Sequence, residues 1–381
     1  MKLVAVLLAC LAMLGLVYQG AALAALWFFR RRPLPRPAAG ELPGLTVLKP
    51  LRGLSAETEA CLASFCQQDY PRFQIMFGVA AADDPAAGVV AALAARFPQV
   101  EMELVHCPQN LGINPKVSTL RQLVPRARYD WLVIADSDVL APPDLLARLA
   151  AALAEPGVGL TSCLYRAGPP ATLGSALEAL AISADFIPSV AVAFYLEGVS
   201  FALGAVMAVR REALAQMGGL AAIADHLADD YQLGHGVHRA GWRVTLLPLM
   251  VSTWQPHTSL AGFFSHQLRW ARTYRVCRPW GFFGYGITFV AAWSLLAWWL
   301  SGWSLWGGVL WGSALAARAV VAWGAARLLD AGLSIRSSLS LLPLKDMASF
   351  TIWILSFLGR QVVWQGRRYR VKPDGRLEAQ D

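Results

Sequence analysis

Short apolar runs alternate with segments of helical period through the first part of the chain. "LTVLKPLRG" (Leu45 to Gly53) reads as a strand closed by a Pro/Gly turn, and a helical stretch follows with Leu62, Phe65 and Cys66 on one face. "FQIMFGVA" predicts a second strand and "DDPAAGVVAALAARFP" a turn and helix. "VEMELVH" predicts a third strand, "LGINPKVSTLRQLV" a loop and helix, and "YDWLVIADSD" a fourth strand. Strands alternating with helices predict an α/β domain built on a mostly parallel, Rossmann-like sheet with helices on both faces. Such sheets bind ligands at the carboxyl ends of their strands. Those ends are polar here: Lys49 and Arg52, Asp83 and Asp84, His106, then Asp136 and Asp138.

Two other stretches do not alternate at all. Residues 3–29 carry no charge and are followed at once by Arg30, Arg31 and Arg32, and residues 279–317 contain no Asp, Glu, Lys, Arg or His. A span needs about 20 apolar residues, so the first stretch predicts one membrane helix and the second a pair. Seven tryptophans fall in the second stretch. Trp298, Trp299, Trp303 and Trp306 sit near its middle beside Gly302, Gly307 and Gly308, which places a hairpin turn at a membrane interface. The first stretch is long for a signal peptide and lacks a convincing cleavage site, which favours an uncleaved anchor. A third apolar stretch, Ser337 to Leu358, is interrupted by Lys345 and Asp346, each costly inside a bilayer unless paired. It is therefore expected to stop short of a full crossing. The predicted organisation is an anchor over 1–32, an α/β domain over 33–278, a membrane hairpin over 279–326, and a membrane-associated segment with a basic tail over 327–381.

Composition agrees with this division. The 381 residues are 56% hydrophobic and only 15% charged, too apolar for an ordinary soluble enzyme. Arginines directly after the first span point to a cytoplasmic α/β domain. The six cysteines form no C-x-x-C pair or zinc spacing, as expected in a reducing compartment. The net charge of +8 gathers around Arg30 to Arg36 and in the tail "GRRYRVKPDGR", which suits anionic lipid headgroups. No basic stripe with interleaved aromatics points to nucleic acid.

Three clusters carry candidate chemistry. Asp136 and Asp138, two apart on an extended segment, project to one side and can approach a single Mg²⁺ or Mn²⁺ ion, although a simple turn with a helix cap has the same composition. Asp229 and Asp230 precede a helical pattern, where a carboxylate caps a helix or serves as an ionised general base with its pKa held low by the dipole. His226, His235 and His238 lie nearby, but their spacing matches no common zinc site. "FFSHQLRWARTYR" places Arg269, Arg272 and Arg275 at helical spacing just before the apolar pair, a basic face for headgroups or a clamp on phosphate or acceptor.

Taken together, "TVLKPLRG", "QDYPRFQIMFGVAAADDPA", "GINPKVSTL", "IADSD", "PGVGL", "LADDYQLG", "GWRV" and "RW" resemble the ceramide glucosyltransferases, glycosyltransferase family 21, over nearly the whole chain. "SFCQQDYP", "GLTSCLYR" and "HQLRWARTYR" are more similar still to the bacterial hopanoid-biosynthesis branch. The resemblance implies a GT-A-type cytoplasmic domain on a bacterial inner membrane. It implies an inverting transfer from a UDP-sugar to a membrane-lipid hydroxyl. UDP-GlcNAc and bacteriohopanetetrol are the expected pair, with UDP-glucose and ceramide as the alternative and a processive polysaccharide synthase as a second. It places Lys49, Pro50, Asp84, Asn114, Lys116 and Asp136 on the donor, with Asp84 near the uridine and Asp136 on metal and diphosphate. Asp230 matches the proposed base. Arg269 and Trp270 match the R-W of a (Q/R)-x-x-R-W motif, but His266 stands where that motif has Gln or Arg, which leaves the role of that position open. Asp138 strengthens the metal expectation.

Overall fold

In the computed structural model the described residues are 2–35, 43–254, 257–329, 335–364 and 366–380. The chain begins with α1 (Lys2–Arg30), then β1 (Leu45–Leu51), α2 (Thr58–Cys66), β2 (Phe73–Val79), α3 (Ala86–Arg96), β3 (Glu101–His106), α4 (Pro115–Leu123) and β4 (Trp131–Ala135). It continues with β5 (Val139–Leu140), α5 (Leu145–Leu153), β6 (Val158–Ala167), α6 (Leu173–Ala181), α7 (Ile187–Glu197), β7 (Val206–Arg210), α8 (Arg211–Gln216), α9 (Asp229–Arg239) and β8 (Arg243–Thr253). The last part holds α10 (Leu260–Cys277), α11 (Pro279–Tyr285), α12 (Val290–Leu300), α13 (Leu305–Leu328), α14 (Ile335–Ser356), β9 (Gln361–Trp364), β10 (Arg367–Val371) and β11 (Leu377–Ala379).

Two compact units share these elements. One comprises Pro33–Tyr165 and Val199–Trp254. Its sheet runs β3-β2-β1-β4-β7-β6-β8-β5. The predicted strands form its parallel part, with β1 between β2 and β4 and β3 outside β2. β7 then turns the sheet antiparallel against β4 and β6. Leu48, Leu132, Ile134 and Met207 from the strands pack with Leu120 of α4 and Leu233 of α9 in one buried cluster. β1 pairs with β2 along its full length but with β4 only through Leu48. Lys49 and Pro50 thus extend past the β4 ladder, where a proline interrupts less pairing than in a fully flanked strand.

The other unit comprises Met1–Arg32, Arg166–Gly198 and Gln255–Asp381. This departs from the predicted boundaries, which kept 166–198 and 255–278 in the α/β domain. Leu173–Glu197 is a 25-residue apolar helix, one of three among the described residues long and apolar enough to cross a membrane, with Lys2–Arg30 and Leu305–Leu328. Its charges, Glu178 and Asp185 within it and Glu197 at its end, obscure that character in the sequence. Pro279–Thr288 and Val290–Leu300 form a further apolar pair bent by 59°. The turn between α12 and α13 falls at Ser301–Ser304, with Gly302 and Trp303 in the left-handed region. The basic tail is a three-stranded antiparallel sheet, β9 to β11.

Lys345 and Asp346, the residues that counted against burying α14, are part of an internal ion cluster. The Arg318 guanidinium of α13 donates to Asp346 at 2.8 and 2.9 Å and to Asp185 at 2.5 Å, and Lys345 Nζ lies 2.5 Å from Asp185 and 2.6 Å from Asp346. Asp185 sits in a π-helical turn, Ile182–Phe186, between α6 and α7. Arg318 also donates to the Ala184 carbonyl at 3.0 Å and thus satisfies backbone within this wider turn. Two cations and two anions balance, so the charges are buried as a neutral group. Arg318→Met would strand two buried carboxylates beside a single ammonium. We expect a loss of about 3–5 kcal/mol, as for other broken buried pairs, read as a lowered Tm of the detergent-purified protein. A loss under about 1 kcal/mol, the range of exposed pairs, would contradict this burial.

Candidate active site

The site in the α/β unit starts from the loop after β4. The Asp136 amide donates to the Ala205 carbonyl at 3.1 Å, and Trp254 N donates to the Asp138 carbonyl at 2.9 Å, so the D-S-D segment is held from both ends. The turn that follows is fixed by Gln68, a buried residue the sequence reading passed over. Its Nε2 donates to the Ser64 and Pro142 carbonyls at 3.0 and 2.9 Å, and its Oε1 accepts from Leu146 N at 3.0 Å. The Asp69 amide adds a bond to the Pro143 carbonyl at 2.8 Å. The "QQDYP" stretch therefore braces the double-proline turn, a role visible only once the chain is folded.

Lys116 approaches Asp136 from α4. Asn114 caps that helix by accepting from Val117 N at 3.1 Å, and Pro115 occupies the first turn, where no N–H is needed. Asn114 is fully buried, and its Nδ2 donates to the His226 carbonyl at 2.9 Å. The Ile113 amide donates to Asp225 Oδ1 and the Asn114 amide to the Ala224 carbonyl, each at 2.9 Å. These bonds tie the loop before α4 to the segment before α9. Lys116 Nζ consequently lies 2.6 Å from Asp136 Oδ1 and 3.2 Å from Asp229 Oδ2. Burial alone would lower this ammonium's pKa, but Asp136 and Asp229 hold it above its ordinary range.

Lys49 enters from β1. It is fully buried, donates to the Asp136 carbonyl oxygen at 2.9 Å, and lies 3.7 Å from the Phe65 ring centroid. Burial pushes its pKa down to about 8, partly offset by the neighbouring Cys61, Asp136 and Asp138. Pro50 contributes rigidity near the strand end and no polar side-chain atom.

Asp229 and Asp230 open α9. Gly204 makes room for Asp230: a Cβ at position 204 would lie 2.9 Å from its Oδ2. Gly234 similarly lets α9 lie against Phe201 and Ala202. Gly204 lies outside the motifs quoted from the sequence, and Gly234 closes "LADDYQLG" without a role assigned to it there. The dipole was expected to hold the Asp230 pKa low, but the opposite is found. Burial first, then the adjacent Asp229 carboxylate, push Asp230 up to about 6, against the pull of Lys116 and of the Tyr231 amide bond. Asp136 is likewise pushed up to about 6, by burial and then by Asp138, in spite of Lys116. Its side chain keeps 36% of its surface exposed, so water softens this rise.

Asp84 is committed to backbone. Both its oxygens accept from Gly53 N, at 3.0 and 3.1 Å, and Oδ1 also accepts from Ala86 N at 2.9 Å. It thus fixes the left-handed Gly53 turn after β1 and the start of α3.

His266, Arg269 and Trp270 lie on α10 in the other unit. His266 Nδ1 is 2.9 Å from Glu178 Oε1, an oxygen that also accepts from Gln267 Nε2 at 2.9 Å. The Trp270 ring stands edge-on to the His266 ring at 4.5 Å. The carboxylate partner Glu178 was not identified from sequence.

Asp136 and Asp138 are the one or two carboxylates that Mg²⁺ or Mn²⁺ takes when phosphate oxygens and water complete the shell. Among the described residues no group of three or more His, Cys, Asp or Glu could hold an ion. The residues fit a metal shared with a phosphate ligand, and they do not form a protein cage.

The family model described as Glycosyl transferase family 21 matches residues 7–377. A ceramide glucosyltransferase of Komagataella phaffii is 37% identical over 33% of this chain and 25% of its own length. Ceramide glucosyltransferase 1 of Caenorhabditis elegans is 25% identical over 61% of this chain and 50% of its own length. The chain therefore aligns with half or less of the length of these curated relatives. Among solved structures, mannosyltransferase PcManGT from Pyrobaculum calidifontis, in complex with GDP-Man and Mn²⁺, superposes with a TM-score of 0.52 at 22% identity. The match covers 92% of this chain and 99% of that one, a likeness of fold.

The raised Asp230 pKa has a direct readout. Infrared difference spectra between wild type and Asp230→Asn should show a carboxyl that is protonated at pH 4 and ionises near pH 6. Ionisation already complete at pH 4 would contradict the burial described for it.

Proposed function

From the premise that the chain belongs to glycosyl transferase family 21, we propose that it transfers a sugar from a UDP-sugar to a hydroxyl of a membrane lipid, with inversion. The observation that carries this reading is the Lys116 bridge, which joins the strand-end carboxylate Asp136 to the α9 carboxylates. The curated relatives favour UDP-glucose and a ceramide-like acceptor. This reverses the order expected from sequence, where UDP-GlcNAc and bacteriohopanetetrol came first. The apolar helices and the tail suit a bilayer-seated enzyme, and the arginines after α1 favour a cytoplasmic active site.

In the proposed mechanism Asp230 accepts the proton of the lipid hydroxyl. The hydroxyl oxygen bonds to the anomeric carbon as the bond from that carbon to the diphosphate breaks, and its electron pair leaves with UDP. One base suffices for a single displacement, whereas a double displacement would need a nucleophilic carboxylate as well. Asp136 and Asp138 would hold Mg²⁺ or Mn²⁺, which supplies charge neutralisation at the leaving diphosphate. Lys116 keeps Asp136 and Asp229 facing one another, and Lys49 fixes the backbone of Asp136. Asp84 shapes the β1 turn on which a uridine would rest. Glu178 orients His266 through Nδ1, which leaves the ring's other nitrogen for the position where the family motif has Gln or Arg. Arg269 and Trp270 complete the acceptor or diphosphate clamp.

The test is purified protein with UDP-glucose and UDP-GlcNAc, each offered ceramide and bacteriohopanetetrol, with products read by mass spectrometry. Glucosylceramide as the main product is expected. An N-acetylglucosaminyl hopanoid would restore the other lipid reading, and a polymer or no product would contradict lipid transfer. Asp230→Asn should lower turnover by about 10² to 10⁴, the usual contribution of a general base, while UDP-sugar binding persists. Near-normal turnover would place the base elsewhere.

A further inference from the structure

A cavity of about 560 Å³ lies between α10 and the C-terminal sheet, lined by Arg272, Leu358, Gly359, Arg360, Gln361, Arg370 and Gln380. Three guanidinium-bearing residues and no acid line it. Two other cations of the tail are matched locally: Lys372 with Glu378 at 3.3 Å and Arg376 with Asp374 at 3.7 Å. Arg360 and Arg370 have no ion-pair partner among the described residues.

Arg272 is held in place rather than neutralised. Its guanidinium donates to the Gln361 carbonyl and, at 3.3 Å, to the Leu358 carbonyl, and its buried Nε has no hydrogen-bond partner among the described residues. Arg275 secures the same turn by donating to the Gly359 carbonyl at 2.7 Å. Burial, then the neighbouring Arg360 and Arg272, lower the Arg275 pKa, so the cluster repels itself. Clustered like charges, with Arg360 and Arg370 exposed and Arg272 half-buried with an orphaned donor, favour a bound anion, and arginine forks match phosphate oxygens.

The rim indicates where the anion comes from. Leu358, which lines the cavity, is 70% exposed, and Phe357 beside it is also exposed. In α11, which follows α10, Trp280 is 86% exposed. Exposed Trp and apolar side chains beside arginines are the composition of a bilayer interface.

We propose that this cavity binds the phosphate of an anionic membrane lipid. The site is distinct from the carboxylate cluster and rests on the bilayer-seated reading, not on the transfer chemistry.

The test uses full-length protein reconstituted in phosphatidylcholine nanodiscs with or without phosphatidylglycerol. Lipid retained after detergent extraction and gel filtration is counted by mass spectrometry. Wild type should retain phosphatidylglycerol over phosphatidylcholine, and Arg360→Gln/Arg370→Gln should retain roughly tenfold less, on the scale expected for two interfacial arginines. Arg367→Gln/Lys372→Gln removes the same charge outside the cavity and should behave as wild type. Equal retention in the first variant, or equal loss in the second, would overturn the proposal. So would displacement of phosphatidylglycerol by UDP or inorganic pyrophosphate, which would assign the cavity to a soluble phosphate. Should the first variant fail to fold, hydrogen exchange of wild type decides. Slower exchange over residues 358–380 in phosphatidylglycerol discs is expected, and unchanged exchange overturns the proposal.

Discussion

The α/β unit is organised around one ammonium between two carboxylates. Lys116 reaches Asp136 at 2.6 Å and Asp229 at 3.2 Å, and these three side chains come from a helix start, a strand end and a second helix start. Without the lysine, Asp136, Asp138, Asp229 and Asp230 would concentrate negative charge beyond the carboxyl end of the interior strand β4, at a cost that burial magnifies. Much of the surrounding structure positions this lysine. Asn114 caps its helix and grips the His226 carbonyl, and Asp225 grips the Ile113 amide. Lys49 anchors the opposite side through the Asp136 carbonyl.

The sequence was most readable where local pattern and structure follow the same rule. β1 to β4 fall within the apolar runs that announced them, because each is a short strand between turn signals, with β1, β2 and β4 buried and β3 at the edge of the sheet. Asp136 and Asp230 were legible as candidates because carboxylates at a strand end and a helix start are locally conspicuous. Their environment was not. The dipole argument gave the wrong direction for Asp230, since it omits burial and Asp229, which both raise the pKa. Residues that act by filling or vacating space left no signal. Gly204 matters because Asp230 lies over it, and Gln68 because its amide meets backbone from three separate residues. Asp84 was read as a ligand contact, and its carboxylate proves to be engaged by backbone amides.

In the other unit, the same physics changes how charged residues should be read. Lys345 and Asp346 looked like obstacles to burial because a linear sequence shows each charge without its partner. Arg318 supplies the partner of Asp346 from 28 residues away, and Asp185 that of Lys345 from 160. The same pairing gives Asp185, on the apolar helix Leu173–Glu197, two cationic partners. The tail was legible only as basic. Its three strands are short, and their charged residues hide the alternation that Tyr369 and Val371 provide on the buried side.

The central claim is that Lys116 couples the strand-end carboxylate to α9 as one unit. A double-mutant cycle on kcat/KM with Lys116→Met and Asp229→Asn tests it most directly. The account predicts that each single change impairs turnover and that the double variant is no worse than the poorer single. Losses that simply multiply would show that the two residues act independently and would contradict it.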